Sequence, residues 1–68
     1  MKFIKVTDKL LGQVKLLPLS EVLEILLDQD GKVFFVMRFD KRGNRRGFYV
    51  EESFFEIEEQ LRKAGALS

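Results

Sequence analysis

Cysteine and histidine are both absent from this 68-residue chain, and proline occurs once, at Pro18. Without cysteine no disulfide can staple a small fold, and without either residue the usual zinc ligand sets cannot be assembled. The same absences remove the commonest general base and the commonest thiol nucleophile. No catalytic, cofactor-binding or metal-binding residue is therefore assigned, and the expectation is a protein that is not an enzyme. No apolar run approaches the ~20 residues that span a bilayer. The opening MKFIKVTDK alternates charged and apolar residues, which reads as a strand and not as a secretory signal. These absences together fit a cytoplasmic protein, and the length fits a single domain over residues 1–68.

Stability must then come from packing. A chain this short sits near the lower limit for a self-sufficient core, so packing against a second copy is a natural supplement. Hydrophobic residues make up 46% and charged residues 34%, which places the chain among folded domains and not disordered ones.

The longest run of strand-forming residues is VFFVMRF at 33–39, rich in Val and Phe that pack well on a pleated surface. Asp30-Gly31 precedes it and Gly43-Asn44 follows, two dipeptides suited to tight turns. The run reads as a central strand with hairpin partners on both sides. Strands are expected at about 2–7, 13–17, 22–28, 33–40 and 47–51, with a helix at about 53–64. In the first, Phe3, Lys5 and Thr7 share one face and Lys2, Ile4 and Val6 the other. Residues 8–12 form a turn ending at Gly12, and Pro18 suits a strand end because it cannot donate to a ladder. Leu19, Ser20 and Glu21 make a short helical turn or bend. Residues 16–27 can also be read as an amphipathic helix broken at Pro18 and capped by Ser20. A strand at 22–28 is preferred because Asp30-Gly31 asks for a hairpin loop with a strand before it. Ser53 and Glu56 form a capping box, and Phe54, Ile57, Leu61 and Ala64 follow the spacing of a buried helical stripe.

The expected fold class is α+β: a small antiparallel β-sheet of four to five strands, built of hairpins or a meander, with one C-terminal α-helix packed on one face. Two-residue loops at Asp30-Gly31 and Gly43-Asn44 set Leu27 against Phe34, Ile25 against Val36, Met37 against Val50 and Phe39 against Phe48. One face then holds Val22, Leu26, Phe35, Met37, Phe39, Phe48 and Val50. The other holds Leu23, Ile25, Leu27, Phe34, Val36 and Tyr49, and one helix cannot cover both. Burying about 500 Å2 of such surface contributes roughly 12 kcal/mol gross, before the costs of association. The second face is therefore the expected self-association face, and the partner is expected to be a second copy, as a homodimer or higher homo-oligomer, with a protein partner as a further expectation.

Charge is unevenly placed. Residues 38–46 carry Arg38, Lys41, Arg42, Arg45 and Arg46 against Asp40, a net +4, whereas residues 51–63 carry five glutamates against Arg62 and Lys63, a net −3. The helix glutamates are read as a solvated, capped face and not as a metal cluster. Lys41, Arg42, Arg45 and Arg46 on a hairpin tip make a candidate polyanion site; Phe39 and Phe48 beside them fall on the core face in this register, which leaves mainly electrostatics. A DNA- or RNA-binding module using the basic hairpin loop 41–46 is thus the alternative to an assembly module; a phage or mobile-element origin is compatible with so small a protein, although no residue shows it.

FIKVT at 3–7, Gly12 after a short gap, the apolar strand after it, the turn before Val22-Leu23-Glu24-Ile25, and YVEESFFEIEEQL at 49–61 form a recognisable pattern. In these residues the chain resembles the FlbD family of flagellar and swarming-motility accessory proteins. The family carries an Asn before its third strand where this chain has Leu17-Pro18-Leu19-Ser20, and a shorter connection than the basic stretch 41–47. The resemblance implies an antiparallel sheet with one C-terminal helix and an accessory role in motility.

Overall fold

A computed structural model describes residues 2–38, 42–44 and 46–66. The elements run β1 Phe3–Thr7, β2 Val14–Pro18, a 3-10 turn Leu19–Glu21, β3 Val22–Leu27, β4 Val33–Met37, β5 Arg46–Val50 and α1 Phe54–Lys63. The class is α+β. The stretch 22–27 is a strand and not a helix, and all strand pairings are antiparallel.

The expectation of a single sheet is corrected. The strands stand in two sheets, β1–β2 and β3–β4–β5. The sheets touch through a bridge between Asp8 and Val50, flanked by Lys9 N–H to the Tyr49 carbonyl (2.9 Å) and Glu51 N–H to the Thr7 carbonyl (2.9 Å). The physical reason that they do not merge lies on the outer edge of β1. There the Gln60 side chain accepts from Lys5 N–H (2.9 Å) and donates to the Lys5 carbonyl (2.7 Å), as a strand residue would. The Glu52 carboxylate takes Thr7 N–H at 2.7 Å. Side chains occupy the edge that a neighbouring strand would need.

The alternation in β1 turns Ile4 and Val6 inward, where they are fully buried, and leaves Phe3 and Lys5 outside. Ile4 and Val6 join Val33, Phe35, Val50 and Ile57 in one core cluster. Phe35 is completely buried and stacks on Phe48 with centroids 6.0 Å apart. The helix delivers Ile57 to this core from its apolar stripe, with Phe54 and Leu61 beside it. Ser53 caps the helix by accepting Glu56 N–H (3.1 Å). Its end is a Schellman arrangement, with Ala66 N–H on the Leu61 carbonyl and Gly65 N–H on the Arg62 carbonyl.

Two registers differ from the expected ones. The β3–β4 loop has three residues, not two. Asp28 N–H reaches the Lys32 carbonyl (2.9 Å), and Asp28 Oδ1 accepts from Asp30 N–H and Lys32 N–H. Gly31 at φ 80° closes the loop, a conformation that favours glycine. Leu27 therefore pairs with Val33, Leu26 with Phe34 and Ile25 with Phe35. A shift of one residue exchanges the faces of a strand. Ile25 moves to the core side, Leu27 follows it by alternation, and Leu26 moves out. A register shift between Val22 and Glu24 leaves Leu23 unpaired and restores Val22 to the core side, opposite Met37. In β4–β5 the pairs are Phe35 with Phe48 and Met37 with Arg46. The offset from the expected register is four residues, so the faces are preserved while the connection grows to eight residues. Phe39 lies outside the described residues.

Candidate functional site

The β3–β4–β5 sheet turns its second side to solvent. Along it lie Glu24 and Leu26 from β3, Phe34 and Val36 from β4, and Gly47 and Tyr49 from β5, with Leu23 at the bulge. Leu23 and Leu26 are each 46% exposed and Tyr49 is 42% exposed, while Val36 is buried between its neighbours. Phe34 and Tyr49 meet edge to face, with centroids 4.8 Å apart and planes at 71°. The Phe34 ring lies over Gly47 so closely that a Cβ there would stand 2.6 Å from two ring carbons. The aromatic pair is thus a built feature of the face, seated on the one residue without a side chain. Of the expected self-association residues, the structure brings Phe34, Val36 and Tyr49 together and sets Leu23 at their margin. Ile25 and Leu27 are on the other side. Leu26, which the expected register had placed in the core, is the residue missed. Its signal was Asp28 three residues before Gly31, the first and fourth positions of a type I turn.

The candidate polyanion residues are placed in part. Lys41 and Arg45 lie outside the described residues. Arg42 is exposed in the β4–β5 connection, and Arg46 opens β5. A groove of about 460 Å3 runs between β2 and β5, lined by Asp8, Lys15, Leu16, Leu17, Met37, Arg46, Gly47 and Phe48. The Lys15 ammonium sits 4.3 Å from the Phe48 ring centroid and 3.0 Å from Asp8 Oδ2.

Asp8 is the one buried acid among the described residues. Its Oδ1 accepts Leu10 N–H (2.9 Å) and Leu11 N–H (3.0 Å), and its Oδ2 accepts from Lys15. The Leu11 N–H, then the Lys15 ammonium, and also the Leu10 N–H hold its carboxyl below the usual carboxylate range, against burial, which pushes the other way. Three donors on one carboxylate make this a structural clamp. The sequence reading placed a turn here but did not single out Asp8. Among the described residues no group of three or more metal-ligating side chains is placed to hold a metal ion, and no helix is long and apolar enough to cross a membrane. Comparison with known protein families, with curated proteins and with solved structures finds no match.

Proposed function

We propose that this protein is a small non-enzymatic assembly module that self-associates through the outer face of β3–β4–β5, in the manner of an accessory subunit similar to the FlbD-like motility proteins. The observation that carries this reading is the aromatic and aliphatic face formed by Leu23, Leu26, Phe34, Val36 and Tyr49, crossed by a single charge, Glu24. Water contact with a contiguous apolar patch is unfavourable, and burial against a second such face removes it. Three short strands offer a footprint of roughly 14 by 17 Å. That is small beside the ~800 Å2 that each partner contributes to a standard interface. The association is therefore weak and concentration-dependent. Sedimentation velocity across a micromolar dilution series tests it. The wild type is expected to shift toward a heavier species as concentration rises, and Leu26→Glu, at an exposed position, to hold the protein as a monomer. A wild-type chain that sediments as an 8.0 kDa monomer at every concentration ends the proposal.

A second reading draws support from the groove, which Arg46 lines together with Lys15, whose ammonium sits over the Phe48 ring. On this reading the module binds a nucleic-acid phosphate chain, with Arg42 and Arg46 as contacts. Fluorescence anisotropy with a labelled oligonucleotide separates the two readings. Binding that falls steeply with salt and is lost in Arg42→Ala and Arg46→Ala supports it, and no binding at low salt removes it.

A further inference from the structure

The turn between β1 and β2 is where this structure departs most from the rule that large apolar side chains leave water. Leu10 is 91% exposed and Leu11 61% exposed, at the tip of a hairpin. They are not on a loose loop. Lys9 N–H is bonded to the Tyr49 carbonyl, Leu10 and Leu11 N–H to the Asp8 carboxylate, and Gly12 N–H to the Asp8 carbonyl at 2.8 Å. Gly12 at φ 68° closes the turn. Every backbone N–H from Lys9 to Gly12 is thus satisfied inside the protein.

That arrangement has a physical consequence. Carrying an unpaired N–H into an apolar medium is costly, and here no such donor is carried by the two leucines. The tip can leave water as a preformed unit with its apolar side chains leading. The hairpin itself is basic: between residues 2 and 20 the cations are Lys2, Lys5, Lys9 and Lys15, and the only acid is Asp8, a net +3. Lys2 lies at its far end, with its ammonium beside Gly65, and the exposed Glu51 adjoins β1 through its N–H on the Thr7 carbonyl. Asp8 is buried and paired with Lys15, and Lys5 and Lys9 are exposed. Glu52, in the bend before α1, accepts from the Thr7 N–H and hydroxyl. Two protruding leucines with the exposed Lys9 next to them and the exposed Lys5 on the adjoining strand match a lipid surface with anionic headgroups, where apolar side chains enter the acyl boundary and ammonium groups meet phosphates.

We propose that the β1–β2 turn is a shallow, reversible anchor for an anionic lipid surface, with Leu10 and Leu11 inserted and Lys5 and Lys9 at the headgroups. This surface is distinct from the outer face of β3–β4–β5 and does not depend on self-association. Two side chains bury little area, so the anchor needs both its apolar and its electrostatic part.

Vesicle flotation with the full chain tests this. The wild type is expected to float with vesicles of equal parts phosphatidylcholine and phosphatidylglycerol, and to stay largely free with phosphatidylcholine alone. The double variant L10S/L11S is expected to lose about tenfold or more in partitioning, with an unchanged circular dichroism spectrum because both positions are exposed. Because the chain has no tryptophan, Leu10→Trp supplies a direct report, with emission expected to shift to the blue on adding the mixed vesicles. The proposal is overturned if the wild type does not float, or if L10S/L11S floats as well as the wild type. It is equally overturned if Leu10→Trp shows no shift with vesicles, or if the leucine variant changes only the sedimentation of the protein, which makes the tip a protein contact.

Discussion

Asp8 holds the first hairpin in shape with three hydrogen bonds to one carboxylate. Its folded pKa is depressed, so its contribution to stability is fully present above the unfolded carboxylate range and is lost as pH falls through the folded value. Thermal melts from neutral to acid pH are expected to show the wild type losing stability on this limb. Asp8→Asn is expected to start less stable at neutral pH and to lose less on acidification. An identical acid limb in the two proteins rules out Asp8 as the titrating group. Gly47 makes a second residue-scale case. A methyl there meets the Phe34 ring at 2.6 Å and the Phe35 carbonyl at 3.0 Å, so the ring must leave its seat. Gly47→Ala is expected to cost about 1–3 kcal/mol in urea unfolding, and to disturb the Phe34 and Tyr49 ring signals in a proton spectrum. Neither role was legible in the sequence. Asp8 reads as an ordinary turn residue, and Gly47 reads as the start of a strand, until the cross-strand neighbours are known.

Among the elements, β1 is the strand whose edges are handled differently. One edge pairs with β2, and the other is covered at Lys5 by an amide from the helix 55 residues later. Gln60→Ala removes both bonds to Lys5 and leaves its N–H and carbonyl to water. The expected loss is about 1 kcal/mol, read from chemical denaturation, and a uniform shift of the whole transition shows the helix and β1 unfolding together. Strand and helix identities were legible because local signals agreed: alternation in β1, Val and Phe density in β4, and the Ser53–Glu56 box at the helix start. The registers were less so. A turn dipeptide names a turn but not its length, and Asp28 lengthened the β3–β4 loop by one residue, enough to exchange Ile25 and Leu26 between faces. In β4–β5 the mismatch of four residues did no such harm, since an even shift preserves the faces.

At the scale of the whole molecule, two of the outward apolar surfaces among the described residues differ in character. The outer face of β3–β4–β5 carries one charge, whereas the β1–β2 tip has the exposed Lys9 beside it and Lys5 on the adjoining strand. Salt separates them. Self-association through the sheet face is expected to be unchanged or strengthened when ionic strength rises, because burial of apolar surface is not screened. Sedimentation at low and high salt checks this, and dissociation at high salt assigns the contact to charged groups instead. The expected pairing of the second apolar face with a second copy is carried forward only as the proposal above, with Leu26 in place of Ile25 and Leu27.

Residue chemistry alone determined the α+β class, the order of strands and helix, the helix cap and the absence of thiol and imidazole chemistry, since each rests on contacts between neighbours in the chain. Tertiary structure decided which leucines face water, which carboxylate is buried and which edge a glutamine closes. Those outcomes depend on residues tens of positions apart, and on loop lengths that differ by a single residue, where the local energies of the alternatives are nearly equal.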